Sequence, residues 1–309
     1  MKTFVFSAVA MAVLASCTNS AIDDVVNNDE PVAIRLSAGV QANGVKDTRA
    51  PITGSATFVP TILAWEGNAE PTDYATSTVK WTTTTDPIAA NSTNVGLKLT
   101  KDQYYNSETS INTYMKAYYP EGTFSNGEYS FKAGYATNGT QDVLISNMVF
   151  GNKSAATNKL FTFTHPLSQF KFEVAAGVGM NADVKVKSIK LKSVKLPTGI
   201  TVGASSDAVK YGSNADLSVP ITGEGVVPTS EGASIGDPVM VCPLETTALT
   251  LDVETSEVTY TNIPITIEGG SVEAGTAYTI TLTLQNKQIA GNATVTDWKD
   301  TGKGSGTVE

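Results

Sequence analysis

The sequence is poor in the residues that build most metal sites and nucleophilic sites. Its 309 residues include one histidine and two cysteines, so a metal site made of several His or Cys ligands is excluded. A Ser-His-Asp triad would have to use His165, which lies in a strand-like segment beside Pro166. We expect this histidine to make a structural hydrogen bond, and we predict no enzyme and no cofactor.

Charged residues are also few. They make up 17% of the chain and leave a net charge of −9, which argues against nucleic acid as a partner. The acidic residues are scattered and do not form the spaced ligand series of a calcium loop. A carboxylate pair for glycoside hydrolysis stays open, because any two carboxylates could meet in space.

Arginine is far scarcer than lysine. Only Arg35 and Arg49 occur, and lysine supplies the rest of the 21 basic residues. Arg49 lies in a Gly-flanked loop just before Ala50 and Pro51, in an unpaired and accessible context. Arg35 lies inside a strand pattern, on the face opposite the apolar side chains. An arginine-specific protease would therefore find one open site, although a compositional bias alone would also explain the scarcity.

The N-terminus carries an export signal. Lys2 precedes an apolar stretch over residues 4–14 that is too short to span a bilayer as a stable helix. Leu-Ala-Ser-Cys at 14–17 resembles a bacterial lipobox, which predicts a signal peptide over 1–16 and acylation of Cys17. The alternative is an ordinary signal peptide with a chance cysteine. With Cys17 acylated, Cys242 has no disulfide partner, and we expect it to be a buried small side chain.

The rest of the chain alternates with period 2, which is typical of half-buried strands. In PVAIRLSAGV, one face carries the side chains of Val32, Ile34, Leu36, Ala38 and Val40. Asn-Gly and Gly-Gly pairs supply turns. The pattern predicts an all-β fold of two tandem antiparallel β-sandwiches.

The domain organisation follows from shifts in composition. A polar, acidic tether begins at Cys17, and together with the strand at 31–40 it forms a segment over 17–49. An unpatterned stretch near 150–159 divides the remainder into sandwiches over 50–155 and 156–309.

These features together resemble the fimbrillins, the type V pilins of Bacteroidetes. The resemblance covers the whole chain and depends on the order of several motifs. They are the lipobox, Thr-Arg-Ala at 48–50, AYYP at 117–120, FTFTHPLSQFKFEV at 161–174, and the C-terminal stretch from AGTAYTITLTLQN onward.

The resemblance implies transthyretin-like sandwiches and a structural role. The precursor would reach the outer membrane as a lipoprotein, and an arginine-specific surface protease would cut between Arg49 and Ala50. The removed segment would be a propeptide strand that fills a groove in the first sandwich. Its apolar side chains are Val32, Ile34, Leu36 and Val40.

The resemblance also implies the partners. A C-terminal donor strand of another pilin subunit would enter the vacated groove and build a homopolymer or a mixed fibre. The candidate donor strand lies in 289–309 and uses Ala293, Val295, Trp298 and Val308. The resulting surface fimbria would support adhesion to a host or bacterial surface receptor.

The alternative function is a surface glycan-binding β-sandwich lipoprotein beside a polysaccharide importer. Trp65, Trp81 and Trp298, with eleven tyrosines, could supply a sugar-binding platform. Such a protein would keep its lipidated Cys17 and stay monomeric.

Overall fold

The computed structural model describes residues 30–40, 56–132, 138–244, 248–267, 271–285 and 288–297. The predicted sites at Cys17, Arg49, Ala50, Trp298 and Val308 lie outside these ranges. Within them, strands and turns account for the chain apart from one 3-10 turn at Lys153–Ala155. No described helix is long and apolar enough to cross a membrane.

Twelve strands precede the Pro166 junction. They are β1 (Leu36–Val40), β2 (Thr57–Phe58), β3 (Thr61–Gly67), β4 (Trp81–Thr84), β5 (Ile88–Ala89), β6 (Val95–Gly96), β7 (Asn112–Tyr119), β8 (Gly122–Ser125), β9 (Glu128–Phe131), β10 (Leu144–Ser146), β11 (Val149–Gly151) and β12 (Lys159–Thr164).

Ten strands follow it. They are β13 (Ser168–Ala176), β14 (Val186–Val194), β15 (Pro197–Thr201), β16 (Ala208–Tyr211), β17 (Ala215–Ser218), β18 (Ala233–Val241), β19 (Ala248–Thr255), β20 (Thr259–Ile267), β21 (Thr276–Gln285) and β22 (Gln288–Asp297).

These strands form two large sheets and two small ones. The first large sheet runs β4-β3-β7-β10-β12-β1-β6, with β11 also paired to β7. The second runs β17-β14-β19-β20-β22-β21-β13-β18. The small sheets are β16-β15-β9-β8 and β2-β5. The all-β prediction with two sandwich-like domains is confirmed.

Alternating side chains create the cores. In β21, Tyr278, Ile280, Leu282 and Leu284 are buried, whereas the threonines between them are half-buried. The inner faces of the second sheet share one apolar cluster, and those of the first sheet share another. Each sheet therefore curls around its own core, as a period-2 pattern requires.

Two features differ from the sequence prediction. The sheets are mixed rather than purely antiparallel, because the β1–β12, β13–β21 and β20–β22 pairs are parallel. The predicted boundary at 155/156 also differs from the strand pairing. Strand β12 belongs to the first sheet, since Phe161 and Phe163 are fully buried in its core.

After the second sheet has begun, the chain returns to pair with a strand of the first half. Strands β15 and β16 form a hairpin, and β15 pairs with β9 of the first half. A third apolar cluster joins Trp65, Tyr118 and Tyr129 of the first half to Ile200 and Met240 of the second. The two halves therefore share a buried core.

Candidate functional site

Strand β1 occupies an internal position in the first sheet. It pairs in parallel with β12, from Leu36 opposite Lys159 to Val40 opposite Phe163. On its other side it pairs antiparallel with β6, with Ala38 opposite Val95. The segment upstream of Arg49 is thus hydrogen-bonded along both edges.

The apolar face of this segment points into the core. Ile34, Leu36, Ala38 and Val40 are all buried, and Val32 packs against the same cluster. The core partners are aromatic and aliphatic side chains of the surrounding strands, including Phe58, Ile62, Phe161 and Phe163. The four predicted propeptide side chains therefore lie together in one core.

Backbone hydrogen bonds extend beyond the strand itself. The Ile34 amide donates to the Gln103 carbonyl at 2.9 Å, and the Tyr105 amide donates to the Val32 carbonyl at 3.0 Å. At the other end, the Val40 amide donates to the Ser92 carbonyl at 2.9 Å. Backbone hydrogen bonds therefore hold the stretch from Val32 to Val40, of which Leu36–Val40 is the strand itself.

Arg35 has the outward orientation that its position predicts. It is exposed, and its carbonyl accepts a hydrogen bond from the Lys159 amide at 3.1 Å. A protease must bind its substrate backbone in an extended form, and this backbone is already paired. Arg35 is thus protected in the folded chain, whereas Arg49 lies outside the described residues.

Gly39 lies where another backbone approaches the strand closely. A Cβ atom at Gly39 would stand 2.1 Å from the Thr93 carbonyl oxygen and 2.7 Å from its carbonyl carbon. Both atoms belong to the backbone, so a side chain here would force that backbone to move. Position 39 of the strand therefore accepts only glycine without rearrangement.

The predicted donor residues divide into two groups. Ala293 is buried in the core of the second sheet, and Val295 lies opposite Tyr278 in the β21–β22 hairpin. Strand β22 pairs along its whole length with β21, but only Asn292 and Ala293 pair with β20. Trp298 and Val308 lie beyond the described residues.

His165 makes the structural contact that we expected. Its Nδ1 lies 2.7 Å from Asp142 Oδ2, and both side chains are almost fully buried beside the junction of β12 and β13. Among the described residues, no group of three His, Cys, Asp or Glu side chains could hold a metal ion.

The two described tryptophans of the glycan alternative, Trp65 and Trp81, do not form a surface platform. Trp65 is buried and makes edge contacts with Tyr74 and Phe124, with ring centroids 4.8 and 5.5 Å apart. Trp81 is half-buried and packs against the first core.

Cys242 is half-buried rather than buried, and its thiol donates to the Pro243 carbonyl.

One buried ion pair was not predicted. Lys116 Nζ in β7 lies 2.8 Å from Asp207 Oδ1 in the turn between β15 and β16, and both side chains are about 5% exposed or less. Nζ also donates to the Gly203 carbonyl, and the Tyr118 hydroxyl donates to Asp207 Oδ2. The pair ties the β15–β16 hairpin to the first sheet.

Comparison with known proteins agrees with this architecture. A putative cell adhesion protein from Bacteroides uniformis aligns with a TM-score of 0.57 and 17% identity, covering 88% of this chain and 99% of that one. One from Bacteroides ovatus aligns with a TM-score of 0.52 and 16% identity, covering 88% and 99%. At these identities the likeness shows the fold alone. The search of curated proteins gave no match.

The family comparison extends across both sandwiches. The fimbrillin-like family model matches residues 48–298, which begins one residue before Arg49 and ends just after β22. The chain therefore belongs to the fimbrillin-like family.

Proposed function

We propose that this chain is a pilin subunit that polymerises by strand exchange after cleavage at Arg49. Family membership supports a fimbrial subunit at the cell surface. The observation that carries the finer proposal is the position of β1, which is buried on both faces and paired on both edges, yet belongs to the segment upstream of Arg49.

Removing β1 would leave a strong binding site. Burial of Val32, Ile34, Leu36 and Val40 is worth about 6–12 kcal/mol gross. Strands β12 and β6 would each lose a hydrogen-bonding partner, and exposed edges of this kind recruit new strands. The vacated groove thus favours refilling by an extended segment of another subunit.

The remaining parts of the proposal concern anchoring and assembly. Acylation of Cys17 holds the precursor in the outer membrane until an arginine-specific surface protease cuts before Ala50. The candidate donor residues Ala293, Val295, Trp298 and Val308 belong to the strand that this chain gives to a neighbour. Because part of β22 is paired in its own sheet, donation requires either release of β22 or use of the residues after it.

The mature N-terminus tests this proposal against the glycan-binding alternative. Protein sheared from cells should begin at Ala50 and carry no acyl label, whereas the membrane-bound precursor should incorporate a palmitate analogue. A Cys17→Ala variant is the control and should take up no label. A surface protein that begins at acylated Cys17 and stays monomeric would refute the proposal and favour the glycan-binding lipoprotein.

A further inference from the structure

The structure restricts which strand could refill the β1 groove, the space between β12 and β6 that β1 occupies. Strand β1 combines two requirements that any occupant in the same register must meet. Its inward positions carry Ile34, Leu36, Ala38 and Val40, and all four are buried. Its outward position at Gly39 admits no side chain, because the Thr93 backbone lies against it. We call this position, where Gly39 faces the Thr93 backbone, the glycine notch.

The two requirements lie on opposite faces of the strand. Successive side chains of a strand point to opposite faces, so glycine and the large apolar residues must differ in parity along the sequence. An occupant therefore needs the pattern apolar-x-apolar-x-Ala-Gly-apolar, read in either chain direction.

The second sandwich repeats this pattern in the equivalent strand. Strand β13 and its following residues contain Phe172, Val174, Ala176, Gly177 and Val178 in the same spacing. Like β1, β13 pairs in parallel with a later strand, β21. A Cβ at Gly177 would also stand 2.8 Å from a backbone oxygen, that of Leu284. The second sandwich thus repeats the sequence pattern and a close backbone approach at its glycine, although Val178 is exposed there.

In the C-terminal region of this chain, the glycines and the large apolar residues lie on the same face of an extended strand. In β22, Gly291 shares its parity with Ile289, Ala293 and Val295. Beyond β22, the glycines at 302, 304 and 306 share their parity with Trp298 and Val308. When any of these glycines faces Thr93, every large apolar side chain within reach of the groove turns outward.

The inward positions would then hold polar side chains. With Gly302 in the notch, they are Asp297, Lys299, Thr301 and Lys303 in one direction. With Gly291 in the notch they are asparagine, glutamine, alanine or threonine in both directions. Burying such groups in an apolar core without partners is costly.

We infer that the groove of this subunit is filled by a strand of a different polypeptide, one with the apolar-x-apolar-x-Ala-Gly-apolar pattern, and not by the C-terminus of a second copy. The inference rests on the proposed function. It makes the fibre mixed at this contact, with Gly39 and Thr93 setting the register of the incoming strand.

Labelled peptides test the inference on the full chain. The uncleaved protein is cut with an arginine-specific protease in the presence of one of three peptides, and release of the 17–49 fragment and uptake of label are followed by size-exclusion chromatography. The peptides are residues 31–40 with Arg35→Lys, which the protease leaves intact, the same peptide with Gly39→Val added, and residues 289–309, which contain no arginine. We expect uptake of the first, binding of the second that is weaker by roughly ten- to a hundredfold, and no uptake of the third.

The possible outcomes separate the inference from the proposed function. Uptake of the 289–309 peptide as readily as the 31–40 peptide would overturn the inference and leave strand exchange intact. Equal binding of the Gly39→Val peptide would overturn the glycine notch as the specificity determinant. If the 17–49 fragment stays bound and no peptide enters, the proposed strand exchange itself fails, and the inference fails with it.

Discussion

At the scale of single residues, Lys116 and Asp207 form an almost fully buried ion pair. Asp207 is satisfied from three sides, because the Gly203 amide and the Tyr118 hydroxyl also donate to it. Burial, and then the Asp207 charge, raise the pKa of Tyr118 well above its ordinary value. The phenol therefore stays protonated and continues to donate to Asp207 far into the alkaline range.

Breaking this pair on one side should be strongly destabilising. Lys116→Met leaves the Asp207 carboxylate buried without a counter-charge, and we expect it to lower the free energy of unfolding by about 3–5 kcal/mol. Urea denaturation measures the change. The exposed Lys98–Asp86 pair, 3.6 Å apart, supplies the control, since Lys98→Met should cost less than about 1 kcal/mol.

A double variant sharpens this test. Lys116→Met combined with Asp207→Leu removes both charges and should recover most of the stability lost in the single variant. Equal losses for Lys116→Met and Lys98→Met would contradict the assigned role of the buried pair.

At the scale of the strand, β1 was predictable because its apolar residues alternate without a break from Val32 to Val40. Its neighbours were not predictable. Strand β6 has only Val95 and Gly96 and carries no apolar pattern, and β12 lies far along the chain. The close approach at Gly39 was not predictable from the sequence, because Thr93 meets Gly39 only in the folded state.

The Lys116–Asp207 ion pair was not predicted either, because its two residues meet only in the folded state. Lys116 and Asp207 are 91 residues apart, and nothing local distinguishes Asp207 from the other scattered carboxylates. The β15–β16 hairpin looked like part of the second sandwich by its sequence position. Its partner β9 belongs to the first half, and strand pairing over such distances is set by tertiary packing.

The large apolar side chains of the β1 segment should account for most of its contribution to stability. In the uncleaved chain, Leu36→Ala should lower the free energy of unfolding by about 2–5 kcal/mol, because it leaves a cavity in the first core. Arg35→Ala, at the exposed position just before β1, should change it by less than about 0.5 kcal/mol. Denaturant unfolding of both variants gives the comparison, and similar effects at the two positions would place β1 outside the core.

At the scale of the whole molecule, the groove and the candidate donor strand belong to different sandwiches. Strand β1 lies in the first sheet, and β22 lies in the second. A contact between unlike surfaces of successive subunits is head-to-tail, and such contacts build filaments when they do not close into rings. The shared core between the two halves makes each subunit one continuous unit under load.

In the proposed mechanism, cleavage would control assembly because the propeptide strand is tethered to its own groove. As long as the chain is intact, the local concentration of β1 far exceeds that of any incoming strand. Cleavage after Arg49 would remove this advantage and let another strand compete. We therefore expect the tether to keep the precursor monomeric until the proposed surface protease cuts it.

The most direct measurement compares three versions of the chain in the cells that make it. Surface material is run on a gel without boiling and probed for this chain. Wild type and Arg35→Ala should both appear in a high-mass ladder, because Arg35 is paired and uncut. Arg49→Ala should appear only at the mass of a folded, lipid-anchored monomer. A ladder from Arg49→Ala equal to that of wild type would contradict the account, since assembly would then not depend on removing β1.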